Sequence, residues 1–173
     1  MSGPTHAALV EAGRRWLRRQ GFAVVLHDPF RSTLSEQPDA IGWRESGSAL
    51  LEAKASRADF LADAQKPYRT DPSKGVGDWR FYIAPAGLIA VEELPDRWGL
   101  LEVSGRRILH THNVPGNCGW WKHPFTEANK RQEIQLLISA IARPEFVPRR
   151  DAKLRAGIAF AAWDAATAQG EVR

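Results

Sequence analysis

The alternation of apolar and polar positions divides the chain into short elements. Over residues 5–20, Leu9, Gly13, Trp16, Leu17 and Gln20 recur at helical spacing, and Glu11, Arg14, Arg15 and Arg18 fall opposite, which predicts an amphipathic helix. Gly21 stops it. Residues 22–26 (FAVVL) form a β-branched and aromatic run that reads as a strand. Residues 31–37 are polar and loop-like. A second strand is expected over 38–43, opened by a proline where one is tolerated. A Glu45-Ser46-Gly47 turn leads into a third strand over 48–55, too short a stretch for a good helix, so the pair should form a hairpin. Ser56 is a helix cap, with Asp59 three residues on, and the helix runs to about Gln65. Residues 69–78, rich in Gly, Asp and Lys, read as an exposed loop with a mobile Gly75-Val76-Gly77 turn. Further strands are expected over 79–84, 100–103 and 107–112. Thr126 caps a helix whose core stripe is Ile134, Leu137, Ile138 and Ile141, and a last helix covers about 149–167.

The order is α-β-β-β-α-β, then an antiparallel extension and two helices. It predicts one α/β domain over residues 1–173, with a mixed sheet flanked by helices and a helical extension over about 126–168. At 173 residues, 43% hydrophobic and 25% charged, the chain has ordinary globular composition. No apolar run is long enough to cross a bilayer, and residues 1–16 do not read as a secretory signal. The single cysteine, Cys118, excludes an internal disulfide and suits a reducing, cytoplasmic setting. With 24 Lys+Arg against 20 Asp+Glu, the net charge of +4 permits a phosphate-bearing partner without demanding one.

The chemistry concentrates in Pro38-Asp39 and, after a twelve-residue gap, Glu52-Ala53-Lys54. Side chains alternate across a strand, so Glu52 and Lys54 share a face, and Asp39 on the neighbouring hairpin strand can reach it. Two convergent carboxylates repel unless a cation lies between them. Hard oxygen ligands of this kind suit Mg²⁺, with Mn²⁺ as a substitute, and the Ala53 carbonyl adds a third protein ligand. Such an ion lowers the pKa of a bound water and stabilises charge on a phosphoryl oxygen. Lys54 would orient that water. The set is complete for hydrolysing a phosphodiester bond.

These residues, in this element order, resemble the PD-(D/E)xK motif of the restriction-endonuclease-like nucleases. The stretch from Glu52 to Asp63 (EAKASRADFLAD) is similar to MmcB-like DNA-repair proteins and related phage nuclease-like proteins. So are Lys66-Pro67-Tyr68-Arg69, Gly75-Val76-Gly77-Asp78, Trp79-Arg80-Phe81-Tyr82 and Trp98-Gly99-Leu100-Leu101-Glu102-Val103. The resemblance covers roughly residues 5–112. It implies a restriction-endonuclease-like αβββαβ core and cleavage leaving 5′-phosphate and 3′-hydroxyl ends. It further implies a setting in DNA repair or in phage and mobile-element DNA metabolism.

It also bears on neighbouring residues. Asp59 and Asp63 read as a cap-region carboxylate and a partner for Lys66; the resemblance adds a supporting role for both beside the site, and places Lys66 facing it. Glu11 falls among Arg14 and Arg15, which favours a surface ion pair over the extra metal ligand that several such nucleases carry. Arg57, Arg69, Lys74 and Arg80 are the candidate DNA contacts, ahead of Arg14, Arg15, Arg18 and Arg19 on the first helix. His110, His112, Cys118 and His123 fit no zinc spacing, and a polar loop with a buried thiol is the plainer reading. Trp120 and Trp121 read as packing under a loop or at a subunit contact rather than as base-stacking groups.

The sequence therefore leads to a Mg²⁺-dependent DNA endonuclease using Asp39, Glu52, Ala53 and Lys54, with a homodimer compatible with double-strand cutting. The rivals are a non-catalytic DNA-binding module on the same fold and a protein-interaction factor.

Overall fold

The computed structural model describes residues 4–28 and 36–142. The chain divides into two compact units, Met1–Leu136 and Leu137–Arg173, and everything that builds the site lies in the first. The elements are α1 (His6–Arg19), β1 (Val24–His27), β2 (Ala40–Arg44), β3 (Gly47–Ala53), α2 (Arg57–Asp63), α3 (Pro67–Thr70), β4 (Trp79–Pro85), β5 (Gly99–Ser104), β6 (Arg107–His112) and α4 (Lys130–Ala142). The expected helix over 149–167 lies outside the described residues, as do residues 31–35 of the expected polar loop.

The six strands form one sheet in chain order, β1 through β6. The β1–β2, β2–β3 and β5–β6 pairs are antiparallel, and β3–β4 and β4–β5 are parallel. The first parallel step requires a crossover, and α2 and α3 supply it. The fold is thus mixed α/β, a mixed sheet flanked by helices.

The first helix begins where the Thr5 hydroxyl accepts the Ala8 N–H at 3.3 Å and ends before Gly21, whose φ of 85° suits glycine. It buries Leu9, Val10, Gly13, Trp16 and Leu17 against one face of the sheet. At Gly13 a Cβ would lie 2.8 Å from Leu51 Cδ1, so glycine there lets the helix backbone sit close on β3. Leu51, Phe81, Ile83 and Leu101 complete that face, and Trp120 packs edge-on to Trp16, Phe22 and Trp79. Burying each such side chain stabilises the fold by roughly 1.5–3 kcal/mol. Alternation then points Glu52 and Tyr82, cross-strand partners on β3 and β4, to the opposite face, where Phe60 of α2 meets Tyr82 at 5.2 Å.

Several expectations need correction. Residues 69–78 are not an exposed loop: α3 and a 3₁₀ turn (Pro72–Lys74) occupy the start, and Arg69, Val76 and Asp78 are buried. The Gly75-Val76-Gly77 turn is tied down, with Val76 N–H on Glu36 Oε2 and Gly77 N–H on Glu133 Oε1. The last described helix starts at Lys130, capped by Asn129 rather than Thr126. Its expected stripe is out of phase: Ile134, Ile138 and Ile141 are exposed, and Glu133, Leu136 and Ala140 are buried. Among the described residues no helix is long and apolar enough to cross a membrane.

Candidate functional site

Asp39 stands just before β2, and continuing the β2–β3 register from Ala40–Leu51 sets it opposite Glu52. Its Oδ2 accepts the Ala53 N–H at 2.8 Å, and its Oδ1 lies 3.3 Å from His6 Nε2 at the start of α1. Glu52 is the penultimate residue of β3. Lys54 follows the strand end, held there because its N–H donates to the Ile83 carbonyl at 3.0 Å. The three sequence-predicted residues line one cavity of about 500 Å³ with Ala53, Asp59, Asp63, Lys66 and His6.

The cavity is backed by a buried charge cluster. Lys54 Nζ donates to Glu52 Oε2 at 3.1 Å and Asp63 Oδ1 at 3.0 Å. Asp63 also takes Arg69 Nε at 2.6 Å, the Tyr82 hydroxyl at 2.7 Å and Lys66 Nζ at 2.7 Å. Arg69 reaches Glu36 at 2.8 Å and lies between the Tyr68 and Trp98 rings, 4.9 and 4.5 Å from their centres. Three carboxylates (Glu36, Glu52 and Asp63) thus face three cations (Lys54, Lys66 and Arg69), with Asp39 across the register from Glu52.

The two buried acids are set differently. Burial raises the Glu52 pKa above its ordinary value and the charges of Asp39 and Asp63 add to this; Arg69 and Lys54 oppose it without prevailing. Burial works in the same direction on Asp63, but there the Arg69 hydrogen bond and charge, with Lys66 and Lys54, override it and hold the carboxyl well below the usual range. Burial, with Asp63 beside it, also pushes the Tyr82 phenol up. Glu52 Oε1 is buried and accepts no hydrogen bond; Arg69 Nη2 lies 3.3 Å away but out of line. That orphaned acceptor is where the cluster is incomplete, and Asp39 stands across the register from Glu52.

Other predicted residues fall elsewhere. Arg69 and Arg80 are buried and cannot reach phosphates from these positions. Arg80 donates to the Gly77 and Pro72 carbonyls and lies 4.2 Å from the Phe125 ring centre, and burial lowers its pKa to about 10. Arg57 pairs with Glu93 at 2.6 Å, and Lys74 with Asp71 at 3.2 Å. Asp59 is exposed on the cavity rim. Lys66 caps α3 instead of continuing α2. Glu11 pairs with Arg14 and Arg15 away from the cavity, and its carboxyl is held at about 2, chiefly by Arg14. His110 accepts from Trp16 Nε1 at 2.8 Å, and His123 contacts the Ser46 carbonyl. Cys118 is exposed, not buried. Trp120 is in the core and Trp121 is exposed. Among the described residues no three His, Cys, Asp or Glu side chains form a group that could hold a metal ion.

Sequence reasoning missed Glu36, Tyr82 and His6. Only His6 left a usable signal, a histidine at the first position of a helix that starts near the site.

No family model matches the chain, and no curated protein matches it. A similar solved structure is the SPO1766 protein of unknown function from Silicibacter pomeroyi, at 21% identity and a TM-score of 0.48, covering 86% of this chain and 99% of that one. A likeness at that level carries no argument about function.

Proposed function

We propose that the protein is a divalent-metal-dependent nuclease of the PD-(D/E)xK type, acting on DNA on a restriction-endonuclease-like core. The observation that carries this reading is the meeting of Asp39, Glu52 and Lys54 at one cavity, with Glu52 Oε1 buried and unbonded. The order of α1, β1, β2, β3, the α2–α3 crossover and a β4 parallel to β3 supports the same core.

The donor set fits a small hard cation such as Mg²⁺, which takes one or two carboxylates and fills its remaining positions with water and substrate oxygens. Asp39 and Glu52 would hold it, with the Ala53 carbonyl. When bound, it would supply an activated water and stabilise phosphoryl charge. Lys54 does the chain's own work, presenting an ammonium to the attacking water or the developing phosphorane. Asp63 fixes that ammonium, and Arg69 fixes Asp63.

A second reading is favoured by one observation. The Lys54 ammonium is already shared between two buried carboxylates, as a purely structural lysine would be. The protein would then bind DNA on this fold without cutting it. The deciding experiment incubates labelled single-stranded, duplex, flap and four-way-junction DNA with Mg²⁺, Mn²⁺ or EDTA, beside Lys54→Ala and Asp39→Ala. Metal-dependent cutting lost in both variants is expected. Salt-sensitive binding without cutting, equal in all three proteins, would replace the nuclease reading with the binding one.

A further inference from the structure

A second cavity, of about 470 Å³, lies between the outer flank of α1 and the β5–β6 hairpin. Its floor is small and apolar, with Ala8 and Ala12 from the helix and Val103 and Ile108 from the hairpin. Its walls carry Arg15, Arg19, Arg106 and Arg107 against one carboxylate, Glu11, which Arg14 and Arg15 already neutralise.

These arginines stand apart from most others in the fold. Arg57, Arg69 and Arg97 hold carboxylates, and Arg44 and Arg80 hold backbone carbonyls. Among the described residues no hydrogen bond or ion pair engages the guanidiniums of Arg19, Arg106 or Arg107. Three uncompensated cations around one concave surface repel each other and attract an anion.

The shape selects the anion. From Ala8 to Arg19 the groove follows α1 for about 16 Å, which matches roughly five nucleotide steps of one duplex strand. Arg15 and Arg19 repeat along it at one helical turn, so an occupant must offer negative charges in series. Guanidinium forks suit phosphate oxygens, and the apolar floor suits sugars lying between them. The groove opens at Pro4, two residues from His6, which lines the candidate nuclease cavity.

We infer that this groove binds the phosphodiester backbone of a nucleic acid strand and leads it toward the N-terminal end of α1. The choice of nucleic acid as occupant rests on the nuclease reading; the uncompensated charge does not.

The test measures binding of a short labelled oligonucleotide, single-stranded and duplex, by fluorescence anisotropy in EDTA, so cutting plays no part. Arg19→Glu combined with Arg106→Glu is compared with Lys122→Glu combined with Arg131→Glu, which changes net charge equally at exposed positions outside the groove. Thermal melting verifies that both fold. The groove pair is expected to weaken binding at least tenfold and to reduce the slope of log affinity against log salt by about 2, one unit per lost phosphate contact. The control pair should change affinity less than threefold. Equal losses in both pairs, no loss in the groove pair, or no binding by the unmodified protein would each overturn the inference. Displacement by polyglutamate as effective as by unlabelled DNA would assign the groove to an acidic protein and overturn it too. Failure of the nuclease reading would appear as absent cutting with the groove effect intact.

Discussion

The two ends of β3 each carry a buried polar cluster beside a cavity, and they differ in what they leave undone. At the start of the strand, Ser48 and Asp78 share hydrogen bonds, Lys130 Nζ reaches Asp78 at 2.6 Å, and Glu133 takes Trp43 Nε1 at 3.0 Å and Gly77 N–H at 3.0 Å. Both Glu133 oxygens and Asp78 Oδ2 have donors, so the cluster stitches α4, the turn before β4 and the hairpin together. At the far end, Asp63 is as fully satisfied, but Glu52 keeps an unbonded buried oxygen and a raised pKa. Buried charge alone therefore does not mark a site. An acid whose desolvation is incompletely offset is what makes the Glu52 end the candidate.

The sharpest way to break this contrast is to remove one cation from each cluster. Arg69→Leu leaves Glu36, Glu52 and Asp63 buried with less compensation and should lower stability by about 3–5 kcal/mol in urea unfolding. Lys130→Ala should lower it by only about 1 kcal/mol, because the Lys130 side chain is half exposed and the other donors remain. Similar losses in the two variants would erase the distinction.

Function should separate the ends more cleanly than stability does. Lys54→Ala is expected to reduce metal-dependent cutting at least a hundredfold, about 2.7 kcal/mol in the barrier. Lys130→Ala should leave cutting within twofold, and comparable loss in both would move the chemistry away from the Glu52 end.

Acid titration gives opposite signs for the two acids of one cluster. Asp63 is depressed, so its ionisation contributes stability that is present above the ordinary Asp titration near ~3.9 and lost as pH falls below it. Glu52 is raised, so its ionisation opposes folding, and the penalty is relieved as pH falls through its folded value. Asp63→Asn should flatten the acid unfolding limb, whereas Glu52→Gln should stabilise the protein toward neutral pH while abolishing cutting. A Glu52→Gln protein that is less stable at pH 7 would contradict the raised pKa.

The smallest expected effect is at Glu11. Glu11→Gln removes a part-exposed pair and should change stability by less than about 1 kcal/mol, with cutting unchanged. Loss of cutting would restore Glu11 as a ligand.

What the sequence made legible was local and periodic. Glu52 and Lys54 follow from alternation along one strand, and Asp39 from the hairpin that fixes its register. The Ser56 cap, α1 and the strand succession follow from the same short-range rules. Asp63 pairing with Lys66 was within that reach, being three residues away. The pairing of Arg69 with Glu36 was not, because 33 residues separate them and both sit in stretches whose composition looks solvated. The mistaken phase of α4 has a similar cause. An apolar stripe through Ile134, Ile138 and Ile141 looks like a core face, but Glu133 faces inward, since Trp43, Ser48 and Gly77 wait for its carboxylate.

The sheet's strand order, identical to the order of synthesis, carries a kinetic consequence. The β2–β3 and β5–β6 hairpins close over short turns and cost little chain entropy, whereas the parallel β3–β4 step must first order the α2–α3 crossover. Asp39 and Glu52 can be juxtaposed as soon as the β2–β3 hairpin zips, whereas Arg69, which balances the cluster, arrives only with the α2–α3 crossover. Until then Lys54, at the end of the same hairpin, is the balancing charge at hand, and the crossover, on docking, buries the acids and adds Lys66 and Arg69.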